Sequence, residues 1–264
     1  MHVYYSEYQL TPRKAANRLS DLAPKKGLYL KCLGFADYFP HESLGDQSIE
    51  EFLDTFKDQK TEYAQKVLHF LKKEPFFYDQ PFLNHQLWDG TEEIEASVVK
   101  YKLKNNADQS YLDLINKGIK VRLDANGLFD PGDEIPSHEL IEYIEDPMKN
   151  LNWNGIKAAQ DFIQGAPYQF YIHKPNARFL KQQTCPVIFS SYLGSDLGKW
   201  LSYCELVEQG DINLYHGIIT KNFYQEENDL FQGNYKKNFK PTLDKVKNLF
   251  LHLEDLDWKY LGEI

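Results

Sequence analysis

Two segments decide the predicted fold of this chain, Val98-Val99-Lys100-Tyr101-Lys102 and Val121-Arg122-Leu123-Asp124-Ala125-Asn126. Each begins as a short apolar run, which is typical of a buried β-strand. The helix-like stretch Gln109–Asn116 separates them. A strand, a helix and a second strand in this order predict parallel strands joined by crossover helices, either in a doubly wound sheet or closed as a barrel.

Charged residues stand at the ends of five successive predicted strands. Side chains alternate between the faces of a strand, so Lys100 and Lys102 share one face of the first strand. The next four strands, within VRLDAN, YIEDP, IKAAQD and YIHKP, end in Asp124, Glu145, Asp161 and Lys174. One strand-terminal aspartate is more often a turn or capping residue, and one lysine pair is usually a solvated edge. The ordered series predicts a common site, because the carboxyl ends of barrel strands form one rim.

The carboxylates of this series predict a metal site. Asp124, Glu145 and Asp161 come from neighbouring strands and would converge on one point of the rim. Carboxylate oxygens are the ligands that Mg²⁺ prefers, and its octahedral shell leaves positions for water and substrate. The lysines at the two ends of the series, Lys102 and Lys174, would face each other across a metal-bound substrate. The series therefore predicts a magnesium site with a lysine on each side of a bound substrate.

The first third of the chain has a different order of predicted strands and helices. Tyr4–Leu10 and Gly27–Phe35 are predicted strands, and Asp37–Asp46 is a predicted loop. Ser48–Lys73 has the apolar spacing of amphipathic helices, and Ser48 followed by Glu51 fits a capping box. The predicted organisation is an α+β capping domain over residues 1–81, a (β/α) barrel over 82–221, and a C-terminal segment over 222–264 that packs back on either of them.

The composition restricts the class of protein. The chain has 264 residues, 42% of them hydrophobic, and a net charge of −9. An acidic protein without a basic stripe is not expected to bind nucleic acid. The N-terminus has no secretory signal pattern, and no apolar run is long enough to span a membrane. The three cysteines lack CxxC spacing and are expected to be reduced thiols. We expect a soluble, cytoplasmic protein whose acidity does not exclude a small-molecule carboxylate substrate; the sequence does not indicate its oligomeric state.

The motifs in their order resemble those of the enolase superfamily, in its lysine-based branch, and most closely those of the o-succinylbenzoate synthases. The matching segments are Lys100-Tyr101-Lys102 for KxK, Arg122–Asn126 for RLDAN, Ile144–Pro147 for the acidic-proline motif, His173-Lys174-Pro175 for KP, Ser190–Gly198 for the serine-rich strand and Gly34–Pro40 for the capping loop. The resemblance extends from about residue 27 to about residue 220. It implies a modified (β/α) barrel with an N-terminal α+β capping domain.

The resemblance also implies a reaction and a role for each residue. The reaction is the syn-dehydration of 2-succinyl-6-hydroxy-2,4-cyclohexadiene-1-carboxylate to 2-succinylbenzoate in menaquinone biosynthesis, with Mg²⁺ stabilising an enediolate. The implied residues are Lys102 as acid/base and Lys174 on the opposite face, Lys100 and Arg122 as supporting charges, Asp124, Glu145 and Asp161 as Mg²⁺ ligands, and Ser190, Ser191 and Asn126 as substrate contacts.

The spacing of the motifs departs from this pattern in one place. Only 13 positions separate Asp161 from Lys174, and 16 separate Glu145 from Asp161. A crossover with its helix needs about a dozen residues plus the strand itself. We therefore predict barrel crossovers whose helix is lost or shortened. Asp146 is the alternative ligand should Asp161 lie out of reach.

Other functions are compatible with the same residues. Racemisation of N-acylamino acids, or epimerisation of dipeptides, begins with the same proton abstraction and would use both lysines. A barrel that has lost catalysis and kept a binding role is a further alternative. A hydrolase is not indicated, because the chain has neither a GxSxG elbow nor a P-loop. The eight histidines show no HxH or HExxH spacing and are expected to be ordinary core or surface residues.

Overall fold

A computed structural model describes residues 1–13, 22–42, 45–58, 61–161, 163–175, 177–181, 183–221 and 223–264. Three of the predicted segments extend outside the described residues: the loop at 43–44, the helical stretch at 59–60, and the C-terminal segment at its first residue, 222.

Short strands outnumber helices among the described residues. The strands are β1 His2–Leu10, β2 Lys25–Lys31, β3 Phe35–Tyr38, β4 Leu83–Asn84, β5 Gln86–Trp88, β6 Val98–Lys102, β7 Lys120–Asp124, β8 Ile141–Glu145, β9 Ala158–Gln160, β10 Phe170–His173, β11 Val187–Phe189, β12 Tyr215–His216, β13 Phe231–Gly233, β14 Phe239–Pro241 and β15 Lys259–Glu263. The helices are α1 Ile49–Thr55, α2 Glu62–Leu71, α3 Leu112–Asn116, α4 Asp196–Gln209 and α5 Leu243–Glu254, with a 3-10 turn at Phe56–Asp58.

The N-terminal sheet takes strands from both ends of the chain. Its order is β15-β1-β2-β3, and all neighbours are antiparallel. The predicted strand Gly27–Phe35 is in fact interrupted, because the chain reverses after β2 and enters β3. Gly34 is required at this reversal, since a Cβ there would lie 1.9 Å from the Lys73 carbonyl oxygen. The N-terminal unit is thus a hairpin sheet completed by the last strand of the chain.

Helices α1 and α2 cover one face of this sheet. The predicted capping box is confirmed: the Ser48 hydroxyl accepts the Glu51 N–H, and the Glu51 carboxylate accepts the Ser48 N–H. Phe52 and Val67 are fully buried in one core with Leu28 and Leu30 of β2. Burial of apolar side chains between helix and sheet is the main contribution to the stability of such a layer.

The predicted parallel sheet is confirmed. In the described residues, strands β5 to β11 form a seven-stranded parallel sheet whose spatial order is the chain order. The short strand β12 pairs in parallel with β4, and a parallel bridge joins Ser190 to Gly217. Because β4 precedes β5 and Ser190 follows β11, this strand links the two edges of the curled sheet.

The shortened crossovers are also confirmed. Among the described residues, no helix lies between the end of β8 at Glu145 and the start of β11 at Val187. The loop after β8 instead inserts Trp153, which is 1% exposed and donates its indole N–H to the carbonyls of Met148 and Asn150. In the described part of the chain, no helix is long and apolar enough to cross a membrane.

Candidate active site

The interior face of the barrel carries the predicted site residues at one end. Below them lies a buried apolar cluster of Tyr143, Ala159, Ile172 and Ile188. Two positions further along the chain come Glu145, the last residue of β8, and Asp161, Lys174 and Ser190, each directly after the end of its strand. Side chains alternate with a period of two, so each of these residues lies one layer above a cluster member on the same face. The polar residues at the strand ends therefore lie together at the carboxyl end of the barrel.

The register of the strands aligns three of the predicted residues. Lys102 of β6 is opposite Asp124 of β7, and Asp124 is opposite Glu145 of β8. On β9 the residue opposite Glu145 is Ala159, so Asp161 lies beyond this level, after the strand has ended. The tight spacing predicted from the sequence thus places Asp161 on a loop, while Asp124 and Glu145 stand on strands.

Lys100 lies between two of the predicted metal ligands. Its Nζ is 3.0 Å from Asp124 Oδ2 and 2.8 Å from both carboxylate oxygens of Glu145. All three side chains are buried. Although burial opposes its charge, the two carboxylates raise the pKa of Lys100 well above its usual value. Lys100 is consequently a fixed positive charge at the base of the site.

Lys102 differs from Lys100 although both stand on the same strand face. Its Nζ is 3.7 Å from Asp124 Oδ2, and its side chain is about a quarter exposed, at 27%. Burial of its ammonium group lowers the pKa of Lys102, and the positive charges of Lys100 and Lys174 act in the same direction. Together they outweigh the opposing carboxylates. Lys102 is therefore the lysine of this pair that loses its proton more easily.

Lys174 belongs to the opposite side of the site. Its Nζ is 3.1 Å from Asp161 Oδ2 and donates to Ser190 Oγ at 3.4 Å. Its effect on the pKa of Lys102 places the two lysines within electrostatic range of each other. Ser191 is buried nearby and donates to the Gly217 carbonyl at 3.4 Å. The two lysines and the serine pair thus surround one region.

Magnesium fits these donors in its chemistry. The three candidate ligands are all carboxylates, which suits a hard cation. Burial raises the pKa of Glu145 to about 8, and the charges of Asp124 and Asp161 add to that rise. Among the described residues, Asp161 Oδ1 is a buried oxygen that accepts no hydrogen bond. A bound cation would favour the charged form of Glu145 and would give the Asp161 Oδ1 atom a partner.

The positions of the carboxylates, in contrast to their chemistry, do not form a metal-binding cluster in the described residues. Within the described ranges, no group of three or more His, Cys, Asp or Glu side chains is placed to hold a metal ion. The ammonium groups of Lys100 and Lys174 lie against these carboxylates instead. The expected ligands are therefore neighbours at the barrel end, but they do not point to one shared centre.

Arg122 and Asn126 contact other residues of the barrel. Arg122 is one layer below Asp124; its Nη1 lies 2.9 Å from His85 Nδ1 and donates to the Tyr215 carbonyl at 2.7 Å. It also pairs with a glutamate, Glu142, of the adjacent strand. The Asn126 amide donates to Asp124 Oδ1. The structure thus places Arg122 in the barrel interior and Asn126 as a hydrogen-bond partner of a candidate ligand.

Three further residues adjoin the site: Asp146, which the sequence indicated only as an alternative ligand, and His41 and Arg178, which were not assigned to the site from the sequence. His41 bonds through Nε2 to the Tyr192 carbonyl at 2.8 Å; burial lowers its pKa, and the Lys174 and Lys102 charges add to that effect. Asp146 and Arg178 both bond to the backbone of Asp161. Asp146 had a sequence signal, its place beside Glu145, whereas no local pattern marks His41 or Arg178.

Comparisons with known proteins agree with this architecture. Residues 3–72 match the family O-succinylbenzoate synthase, N-terminal domain. An o-succinylbenzoate synthase of Bdellovibrio bacteriovorus is 27% identical over 184 residues, which cover 55% of this chain and 56% of that protein. The matched region thus spans little more than half the length of this relative.

Solved structures share the fold at low sequence identity. A crystal structure of MenC from Desulfotalea psychrophila superposes with a TM-score of 0.58 and 15% identity, covering 91% of this chain and 99% of that one. A member of the enolase superfamily from Roseovarius nubinhibens, complexed with magnesium, gives 0.59 and 11% over 100% and 95% of the two chains. The chain therefore shares the fold of these solved structures, and its residues 3–72 match the N-terminal domain of the o-succinylbenzoate synthases, in agreement with the resemblance seen in its sequence.

Proposed function

We propose that this chain is a magnesium-dependent carbon–oxygen lyase, an o-succinylbenzoate synthase that dehydrates 2-succinyl-6-hydroxy-2,4-cyclohexadiene-1-carboxylate to 2-succinylbenzoate. The observation that carries the proposal is the difference in surroundings between the two lysines of β6. Lys100 is held as an ammonium by two carboxylates, whereas the pKa of Lys102 is lowered by burial and by neighbouring cations. The matches to o-succinylbenzoate synthases support the choice of substrate.

Lys102 is the proposed acid/base. The proton next to a carboxylate is weakly acidic, so its acceptor must be neutral and must stand close to it. Burial of its ammonium group and the neighbouring cations Lys100 and Lys174 favour the neutral form of Lys102, the form that accepts a proton. The proton passes from the ring carbon to Lys102 Nζ, and the electron pair of that C–H bond moves into the substrate carboxylate.

The same lysine completes the dehydration. The bond between the ring and its hydroxyl group breaks with its electron pair on oxygen, and Lys102 returns its proton to that oxygen, so that water leaves. Both transfers occur on one face of the ring, which makes the elimination syn. Lys174, on the opposite side, stabilises the negative charge of the intermediate and transfers no proton.

Asp124, Glu145 and Asp161 are the residues that would hold Mg²⁺. When bound, the ion supplies positive charge for the substrate carboxylate and so favours loss of the adjacent proton. Ser190 and Ser191 are the proposed hydrogen-bond partners of the succinyl group, because both adjoin Lys174 or the barrel interior beside it.

The proposal is tested by an absorbance assay of the cyclohexadiene substrate with purified protein, in Mg²⁺ and in EDTA. We expect Mg²⁺-dependent aromatisation, and Lys102→Ala is expected to lower kcat by about 10²–10⁴-fold, the usual contribution of an acid/base group. Lys174→Ala should lower kcat less, since its role is electrostatic. Lys104→Ala, an exposed lysine just after the same strand, is the matched control and should retain full activity.

No turnover by folded wild-type protein would reject the synthase reaction. Deuterium exchange at the α-carbon of N-acylamino acids and dipeptides is then the next measurement. Exchange that requires both Lys102 and Lys174 would identify a racemase or epimerase. The absence of exchange as well as turnover would leave a barrel with a binding role.

A further inference from the structure

Asp161 occupies the least supported position among the candidate ligands. It follows β9, a strand of three residues, and no helix lies on either side of it among the described residues between β8 and β11. In a regular (β/α) barrel the crossover helices pack outside the strands and restrain their ends. Asp161 is nevertheless 1% exposed, so contacts other than a helix hold it in place.

The first such contact is the side chain of Asp146. One of its oxygens, Oδ1, accepts the backbone N–H of Asp161 at 3.0 Å and that of Ile163 at 3.4 Å. Asp146 itself is 1% exposed and has a φ of +44°, a left-handed conformation that is uncommon outside glycine and asparagine. Its backbone is fixed in turn, because its N–H donates to the Ala159 carbonyl and its carbonyl accepts the Gly127 N–H.

The second contact comes from the other side of the same residue. Arg178 Nη1 donates to the Asp161 carbonyl at 2.8 Å and lies 3.9 Å from Asp161 Oδ1. The N–H and the C=O of Asp161 are therefore both bonded by buried or half-buried charged side chains. Hydrogen bonds to charged groups are stronger than those between neutral groups.

We propose that Asp146 and Arg178 are positioning residues that clamp the Asp161 backbone and replace the lost crossover helix. The inference rests on the proposed function in one respect, the role of Asp161 as a ligand. In this arrangement Asp146 does not bind the metal. It holds the loop so that the Asp161 carboxylate stays on the interior face, beside Lys174.

Two readouts test the clamp, one of which is independent of any metal. The first is hydrogen exchange of the peptide that contains Asp161 and Ile163. The second is the Mg²⁺ concentration that gives half of the maximal increase in Tm. The variants are Asp146→Gly, which removes the acceptor without straining the left-handed backbone, Asp146→Asn, which keeps an acceptor oxygen, and Arg178→Met. Asp108→Gly is the matched control, because the Asp108 carboxylate likewise accepts two backbone N–H groups, of Lys104 and Ser110.

We expect Asp146→Gly and Arg178→Met to speed exchange at Asp161 and to raise the half-saturating Mg²⁺ concentration about tenfold or more, as for other residues that orient metal ligands. Asp146→Asn should match the wild type in both readouts, and Asp108→Gly should leave both unchanged. If Asp146→Asn weakens Mg²⁺ binding without altering exchange, Asp146 is a ligand and the proposal is overturned. Unchanged exchange in both Asp146→Gly and Arg178→Met also overturns it.

Failure of the clamp and failure of the proposed function give different results. Wild-type protein that Mg²⁺ does not stabilise would contradict the metal-dependent function, while the exchange comparison still decides on the clamp. Should Asp146→Gly not fold, Arg178→Met and Asp146→Asn provide the same comparison, because one removes a contact and the other keeps it.

Discussion

Lys100 and Lys102 acquire opposite properties from neighbours one layer apart. Both point into the barrel from β6, but Lys100 is enclosed by Asp124 and Glu145, and Lys102 extends beyond them. Two carboxylates at hydrogen-bond distance stabilise one ammonium group, and that group then destabilises the next. Two identical residues of one strand thus have pKa values shifted in opposite directions, as their proposed roles require.

A buried histidine makes the folded state sensitive to acid. His216 of β12 is fully buried; its Nδ1 accepts the Phe189 N–H, and its Nε2 donates to the Asp211 carbonyl. Burial lowers the pKa of His216 from 6.5 to about 4. The unfolded chain therefore binds more protons than the folded chain between these values, so this stabilisation is complete above pH 6.5 and is lost as the pH falls towards 4.

We predict that His216 accounts for a loss of about 3 kcal/mol of unfolding free energy between pH 7 and pH 4. The measurement is urea denaturation of the wild type and of His216→Gln, which keeps an acceptor and a donor, at several pH values. The difference between the two proteins should shrink as the pH is lowered. A difference that does not vary with pH would contradict the assigned pKa.

At the scale of elements, strands β8 to β11 are present although no helix connects them among the described residues. The loop between β8 and β9 covers the outside of the sheet with one large side chain, Trp153, whose indole N–H bonds two carbonyls of its own loop. This residue packs in the main core with Ala158 and Ile144 of the adjacent strands. The Trp153 indole thus covers the outer face of the sheet here, where a regular (β/α) barrel would have a crossover helix.

We predict that Trp153→Ala lowers the unfolding free energy by about 3–5 kcal/mol, the usual cost of truncating a buried aromatic residue. Trp153→Phe should cost less, since it removes the two hydrogen bonds but keeps most of the packing. Urea denaturation followed by far-UV circular dichroism measures both. Trp258, half-buried and bonded to the Leu253 carbonyl, is the comparison, and Trp258→Ala should cost clearly less than Trp153→Ala.

At the scale of the whole molecule, a buried ionic network joins the N-terminal unit to the barrel. Lys66 of α2 pairs with Glu205 of α4 at 2.5 Å, and Glu205 also accepts from His173 of β10 at 3.0 Å. All three side chains are 3% exposed or less. His173 is the last residue of β10 and immediately precedes Lys174, so the network connects α2 to the strand end that the site lysine follows.

We predict that Glu205→Leu lowers the unfolding free energy by about 3–5 kcal/mol, because it leaves the Lys66 charge buried without its partner. The double variant Lys66→Met/Glu205→Leu should recover at least half of that loss, since apolar side chains of similar size often replace a buried ion pair well. Urea denaturation of Glu205→Leu, of Lys66→Met and of the double variant gives the coupling energy between the two residues. A double variant no more stable than Glu205→Leu would contradict the explanation. Asp79→Asn, at the exposed pair with Lys240, is the control and should cost under about 1 kcal/mol.

Short-range rules explain why much of the barrel was predictable. The period of two placed Lys100 with Lys102 on one face, and the common rim of the strand ends placed Asp124 beside Glu145, as the register of β7 and β8 confirms. The count of residues between Asp161 and Lys174 was too small for a regular crossover, and no helix is present in the described part of that region. The interruption of Gly27–Phe35 was missed, because its cause is the distant Lys73 carbonyl.

From the sequence alone, the central strands of the parallel sheet, the shared face of Lys100 and Lys102 and the region without a crossover helix could be predicted, because these depend on alternation and on chain length. Only the tertiary structure decided that Lys100 lies between Asp124 and Glu145, that β12 joins the edges of the sheet, and that Asp146 and Arg178 hold Asp161. Those contacts join residues that are far apart in the chain. Their geometry depends on how the strands curl and pack, which no local pattern encodes.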